Sequence, residues 1–172
     1  MKTLSAYDFD KTLIPYDSFQ RYLLHLLRRR PFSIIGLLLL RKLRIISSRR
    51  LKKYVTHIVE QSPSLIKGTK HFAQCMIYDI QWPPKVHQEE VVLIISASPM
   101  VYMRYVKEEL QCELMCSDFM GEKYVEMFGK AKLENLIQRY PQSEYNYVSA
   151  MSDSESDKCW LQEFKQYEIV KR

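Results

Sequence analysis

The run Val91–Ile95 (Val-Val-Leu-Ile-Ile) constrains the fold more than any other stretch of this chain, because it leaves no polar residue to face water. A strand with one wet face alternates apolar and polar residues. A continuous β-branched run marks a strand buried on both faces, as in a parallel sheet covered by helices. Parallel neighbours need a long crossover, usually a helix, so strands and helices should alternate on either side of this run. They do. Thr3–Phe9 is short, apolar and ends in acids, as a buried first strand would. After the run, Pro99–Leu110 reads as an amphipathic helix, Glu113–Ser117 as a short strand and Gly121–Lys123 as a turn. Ala131–Arg139 then reads as a helix ahead of Pro141, Tyr145–Ala150 as a strand, Asp157–Phe164 as a helix and Tyr167–Val170 as a last strand. This order predicts an α/β fold with a doubly wound, parallel, Rossmann-like sheet.

One interruption breaks the alternation. From Ser18 the apolar residues Phe19, Tyr22, Leu23, Leu26 and Leu27 recur at helical spacing, with Asp17 or Ser18 available as N-cap. Arg28–Arg30 and Pro31 close that helix and begin another. Ser47 or Ser48 precedes a third over Leu51–Val59, and Ser62-Pro63 a fourth near Leu65–Ile77, with Pro83 and Pro84 ending the block. The expected organisation is an α/β core of residues 1–14 and 88–172, split by an inserted helical cap over 15–87.

Charge divides the same way. Residues 15–87 carry fourteen Lys/Arg against three acids, whereas the remainder has twelve against seventeen. The basic block should attract phosphates, anionic lipids or nucleic acid. Its aromatic residues Tyr22, Phe32, Tyr54 and Phe72 fall mostly on apolar helix faces, which disfavours a base-stacking platform and hence nucleic acid. The most apolar stretch, Phe32–Leu40, is far shorter than the about 20 residues needed to span a bilayer. No secretory signal is expected, since the first strand runs into Asp10 and Lys11. Four cysteines lack the density of a disulfide scaffold, and Cys112/Cys116 has no second Cys/His pair to complete a zinc site. A reduced, cytoplasmic compartment is the simpler reading.

Four short segments carry the chemistry. Asp8 and Asp10, in Asp8-Phe9-Asp10-Lys11-Thr12-Leu13, stand two apart just past the first strand, where α/β sheets place their active sites. One acid there can attack phosphorus while the other manages the leaving group's proton. Ser96-Ala97-Ser98 follows Val91–Ile95 and offers hydroxyls and free N–H groups for an anion. Ser98-Pro99 also suits a plain N-cap. In Gly129-Lys130-Ala131-Lys132, lysines begin a helix against the preference of its dipole for acids. The oxygen-rich Ser152-Asp153-Ser154-Glu155-Ser156-Asp157 follows a strand and suits a hard cation such as Mg²⁺, or a capped helix start.

In their order, DFDKTL, LIISASP, GKAKLENL and SDSESD resemble the motifs of the haloacid dehalogenase superfamily of phosphohydrolases, over nearly the full chain. More narrowly the chain is similar to the branch containing phosphoserine phosphatase, whose helical cap follows the first motif. That resemblance implies Asp8 as nucleophile and Asp10 as acid and base, with Thr12 bracing their loop. It implies Ser96 and the Ala97 N–H as phosphate contacts, and Lys132 as the neutralising cation, because the G-x-x-K pattern falls there rather than on Lys130. It implies Mg²⁺ held by Asp8, the Asp10 carbonyl and Asp153, with Asp157 orienting that shell. An acid at position 10 favours phosphate esters, since halide leaves without a proton. The chain departs from the family at Lys11 and Ser152, where glycine is frequent, and at Lys158-Cys159-Trp160, where a more apolar helix start is expected.

The substrate is less legible. Asp17 stands where phosphoserine phosphatases use a glutamate for the amino group, but a plain helix N-cap is the simpler role for it. The stretch DSFQRYLLHLLRRRPFSIIGLLLL is similar instead to the cap start of phosphatidylglycerophosphate phosphatases. Its arginines beside Phe32–Leu40 suit peripheral docking on an anionic membrane; its leucines equally suit helix packing. A phosphate ester, small or lipid-linked, is the expected substrate. The rival class is a non-catalytic module whose basic helices bind membrane or nucleic acid.

Overall fold

The computed structural model of the protein describes residues 1–82 and 90–171. Its six strands form one sheet in the order β4-β3-β2-β1-β5-β6. At the centre, β1 (Lys2–Tyr7) pairs in parallel with β2 (Glu90–Pro99) and β5 (Tyr145–Ser152). β3 (Glu113–Met120) and β6 (Gln166–Ile169) extend the parallel pairing outward. β4 (Lys123–Val125) runs antiparallel to β3.

The unbroken run is buried for the expected reason. Leu93 and Ile95 join Leu4, Ala6, Met115, Leu136 and Trp160 on one face of the sheet. Ile94, between them, joins Tyr7, Tyr102, Val106 and Leu114 on the other. With helices on both faces Leu93, Ile94 and Ile95 are fully buried, while Val91 and Val92 at the strand start are partly buried, so alternation is absent.

Four helices lie between β1 and β2: α1 (Ser18–Leu27), α2 (Pro31–Lys42), α3 (Ser48–Glu60) and α4 (Pro63–Ile77). Their starts follow local chemistry. The Asp17 carboxylate accepts from the Gln20 N–H at 2.9 Å, and the Ser47 hydroxyl from the Arg50 N–H at 3.2 Å. Pro31 and Pro63 open their helices where a missing N–H leaves nothing unsatisfied. The expected end of the block at Pro83-Pro84, and the boundary at 87/88, fall outside the described residues. Three more helices serve the sheet: α5 (Met100–Leu110) after β2, α6 (Lys130–Arg139) before β5 and α7 (Lys158–Leu161) before β6.

Three local expectations change. The turn at Gly121–Lys123 is tighter, because Lys123 already pairs with Met120 and Gly121 takes φ +61° between the arms. A three-residue strand is too short to show a period. The helix expected over Asp157–Phe164 is a 3-10 turn at Glu155–Asp157 followed by α7. Its tail tightens to three-residue spacing, Glu163 N–H to Trp160 and Phe164 N–H to Leu161, which turns Phe164 into the core. Ser98 is no N-cap; Pro99 occupies that position of α5, without a side-chain bond.

The two-faced burial of β2 gives a direct test. Leu93→Ala should lower unfolding free energy by about 2–5 kcal/mol, measured by urea denaturation. A loss below about 1 kcal/mol would mean that the strand is not packed on that face.

Candidate active site

The site begins where β1 runs out. The Asp8 N–H donates to the Met151 carbonyl at 2.8 Å, which holds Asp8 at the carboxyl edge of the sheet. The chain then curls over itself: the Phe9 carbonyl accepts from the amides of Thr12, Leu13 and Ile14. This curl puts Lys11 in the left-handed region at φ +57°, where a non-glycine residue costs about 1–3 kcal/mol. Glycine would take this conformation without that cost. Thr12 is buried beneath the curl, and its Oγ1 has no hydrogen-bond partner among the described residues.

Lys132, from the first turn of α6, reaches under this loop. Its Nζ lies 2.6 Å from Asp8 Oδ1 and 2.7 Å from Asp157 Oδ2, with all three side chains buried. Asp157 Oδ2 also accepts from the Ser152 hydroxyl at 2.7 Å. The Trp160 ring lies 5.7 Å from Nζ, so the aromatic start of α7 supplies a π-face for the cation. Burial pushes the Asp8 carboxyl up to about 7; Lys132 opposes the rise, while the negative charges of Asp157 and Asp10 add to it. For Lys132, burial works against the charged form, but Asp8 and Asp157 outweigh it and raise its pKa.

Asp10 faces the other way, toward α1 and the end of β2. Its Oδ1 accepts from the Ser18 N–H at 2.7 Å and its Oδ2 from the Ser98 hydroxyl at 2.6 Å. Burial raises its pKa, against the pull of hydrogen bonding from the Ser18 side chain, the Ser98 hydroxyl and the Ser18 N–H. Ser96, the expected phosphate contact, sits one step deeper and its hydroxyl accepts from the Ser98 N–H at 3.1 Å. The Ala97 carbonyl is held by the Ser117 hydroxyl at 2.7 Å and by Lys52 Nζ at 2.9 Å.

A cavity of about 440 Å³ opens over these groups, and Asp8, Asp10, Ala97, Ser98, Lys132, Asp153 and Asp157 all line it. Ser96 and Thr12 are not among its lining residues. Asp153 is half-buried; burial raises its pKa and the Lys11 charge lowers it. Asp17 lines the cavity too, although its carboxylate already caps α1. The far wall comes from α1 and α3 through Phe19, Gln20, Leu23, Ser48, Leu51 and Lys52.

Two participants have no distinctive sequence signal: Ser98 before Pro99 looks like a cap, and Lys52 is one basic residue among many. Lys52 bridges Glu126, at 2.6 Å, and the Ala97 carbonyl from across the cavity. Neither contact carries a local signal, because the partners lie 45 and 74 residues away.

Among the described residues, no group of three or more His, Cys, Asp or Glu is arranged to hold a metal ion. Mg²⁺ asks for less, namely one or two carboxylates with waters and substrate phosphate completing the octahedron. Asp8 and Asp153 share the cavity wall and supply only hard oxygen donors, so this donor set fits that ion.

Comparison with known proteins agrees with the fold. The sequence profile of the haloacid dehalogenase-like hydrolases matches residues 6–162. No curated protein matches the sequence itself. A solved structure of a protein of unknown function from Bordetella pertussis Tohama I is similar, with TM-score 0.71 and 14% identity over 97% of this chain and 89% of that one. A HAD family hydrolase from Salmonella enterica serovar Typhi gives TM-score 0.54 and 12% identity, covering 95% of this chain and 61% of its own. A phosphoserine phosphohydrolase-like protein from Francisella tularensis gives 0.50 and 17%, covering 97% and 86%. At these identities the likeness is one of fold.

The buried ion triad predicts a measurable stability effect. Lys132→Met should destabilise the protein by about 3–5 kcal/mol, because Asp8 and Asp157 lose their shared partner. Adding Asp157→Asn should recover part of the loss in the same urea titration; no recovery would mean that the penalty has another source.

Proposed function

The chain belongs to the haloacid dehalogenase-like hydrolase family, and we propose that within it this protein is a phosphomonoesterase working through a phospho-aspartate at Asp8. One observation carries the reading. A buried carboxylate bridged to Lys132 and a second acid held by separate donors line one cavity, with the Ala97–Ser98 backbone and Asp153. Four segments far apart in sequence supply exactly the groups that phosphoryl transfer needs: nucleophile, acid, anion contacts and counter-charge.

In the first half-reaction Asp8 Oδ attacks phosphorus and the bond from phosphorus to the ester oxygen breaks. Asp10 gives its proton to that oxygen as the alcohol leaves. In the second, Asp10 takes a proton from a water that attacks the phosphorus of phospho-Asp8, releasing inorganic phosphate and regenerating the carboxylate. Lys132 holds Asp8 in position and offsets the charge gathered on the phosphoryl oxygens. Asp8, the Asp10 carbonyl and Asp153 would hold Mg²⁺, which when bound would neutralise phosphate oxygens and hold Asp8 ionised. Asp157, bonded to Lys132 and Ser152, would keep that shell oriented. Residues 15–87 are read as the cap over a core of 1–14 and 88–172, because α1 and α3 close the cavity from above. A small or lipid-linked phosphate ester is the proposed substrate.

The test is phosphate release from p-nitrophenyl phosphate. Mg²⁺ should be required, Asp10→Asn should lower kcat by about 10²–10⁴-fold, and Asp8→Asn should abolish turnover. Turnover by Asp8→Asn equal to that of the wild type would falsify the reading.

The exterior of α2 favours a second proposal, that these helices dock on an anionic membrane. No helix among the described residues is long and apolar enough to cross a membrane. Yet Ile34 is the buried residue of α2, while Phe32 is 90% exposed, Leu39 53% and the following Leu43 68%. Between Ser18 and Val59 the sequence has eleven Lys/Arg and no Asp or Glu. Exposed apolar residues flanked by unopposed cations match a surface of acyl chains under negative headgroups, each cation near the surface contributing about 1 kcal/mol. The protein should co-sediment with mixed phosphatidylglycerol/phosphatidylcholine vesicles and release in high salt, and Phe32→Glu with Leu43→Glu should weaken binding. Equal binding to pure phosphatidylcholine, or none to either, would retire the idea without touching the chemistry at Asp8.

A further inference from the structure

The hydrogen bonds behind Asp10 have a definite direction. As a carboxylate Asp10 can only accept, so the Ser98 hydroxyl donates to its Oδ2 at 2.6 Å. That spends the single proton of Ser98. Ser98 Oγ lies 3.0 Å from Ser18 Oγ, so Ser18 must be the donor there. Ser18 Oγ in turn lies 2.8 Å from the Tyr102 hydroxyl, which must then donate to it. All three hydroxyl-bearing residues are buried, so water does not compete for these bonds. Burial also holds the Tyr102 phenol well above its ordinary pKa, which keeps its proton available as the terminal donor.

We infer that Tyr102, Ser18 and Ser98 form a one-way hydroxyl relay that positions the Asp10 carboxyl, making them positioning residues for leaving-group protonation. The relay spans three elements: Tyr102 on α5, Ser18 at the first turn of α1 and Ser98 at the end of β2. Ser18 enters twice, through its hydroxyl to Ser98 and its backbone N–H to Asp10 Oδ1 at 2.7 Å. Both oxygens of Asp10 are thereby indexed to the start of the helical segment. No proton travels along the relay; each hydroxyl keeps its own and donates it. Asp10 held at both oxygens loses its rotation, so the proton it gives to the ester oxygen must sit on a lone pair that the Ser18 and Ser98 bonds leave free, and misplacement of a reacting group by about 1 Å can cost about 10²-fold in rate.

The inference rests on the phosphatase reading, and leaving-group dependence separates the two. Phenyl phosphate and p-nitrophenyl phosphate share a shape, but phenolate leaves far less readily and needs the proton more. Tyr102→Phe removes one oxygen and keeps the ring against Tyr22 and Phe72. It should lower kcat on phenyl phosphate by about ten-fold and on p-nitrophenyl phosphate by less than about two-fold, with KM unchanged. Ser98→Ala should show the same pattern more strongly, and Ser98→Thr, which keeps a hydroxyl, should restore much of the phenyl phosphate rate. Asp10→Asn is the control and should show the steepest dependence of all. If it does while Tyr102→Phe and Ser98→Ala lose equally on both substrates, or lose nothing, the relay is overturned and the phosphatase stands. If Asp10→Asn hydrolyses phenyl phosphate like the wild type, or the wild type hydrolyses neither ester, both fall together.

Discussion

Lys132 between Asp8 and Asp157 is the interaction on which the arrangement of the site depends. It joins the end of β1, the first turn of α6 and the 3-10 turn after β5, three segments that meet only when the sheet is assembled. A lone buried cation or carboxylate would be prohibitively costly, and one lysine shared by two acids still leaves an excess of negative charge. The Asp8 carboxyl is accordingly pushed up to about 7, with burial as the main cause. That tension makes the site costlier to fold than an apolar one of the same volume.

The helices between β1 and β2 are not a detached appendage. One apolar cluster runs from Tyr22, Leu26, Val55 and Leu65 into Tyr102, Val106 and Ile94, so these helices share a core with one face of the sheet. The cavity lies along that seam. Polar contacts cross it as well: Ser18 reaches Asp10, Lys52 reaches Ala97 and Glu126, and the Arg49 guanidinium donates to the Tyr124 carbonyl. Residues that close the cavity therefore also touch Asp10 and the Ala97 backbone at its floor. α2 joins this cluster through Ile34, Leu37 and Leu38 but leaves Phe32, Ile35, Leu39 and Leu40 exposed.

Much of this was legible in the sequence where the signal was local. Val91–Ile95 announced a strand buried on both faces, and the helix starts at Asp17, Ser47, Pro31 and Pro63 follow from capping and from the missing proline N–H. A lysine at position 11, where the resembled motif favours glycine, corresponds to a backbone φ of +57°. Local signals failed at β4, too short for a period, and at α7, whose tail is set by the burial of Phe164. They failed also at Ser98, where a serine before proline looks the same whether it caps a helix or binds a carboxylate.

By itself the sequence determined the order of strands and helices, the strand ends carrying Asp8, Ser96 to Ser98 and Asp153, and the basic character of the inserted helices. Those are properties of short windows, in which burial and capping imprint a period or a residue type. Only the tertiary structure decided which side chains meet: Lys132 with Asp8 across 124 residues, Ser98 with Asp10 across 88, Ser18 with Tyr102 across 84. It also decided that α2 packs Ile34, Leu37 and Leu38 inward and leaves Phe32, Leu39 and Leu40 exposed, because a helix shows in sequence how apolar it is but not which neighbour covers it. Hydrogen bonds and ion pairs act over about 3 Å, and no spacing along the chain encodes a distance that the folding of the sheet alone creates.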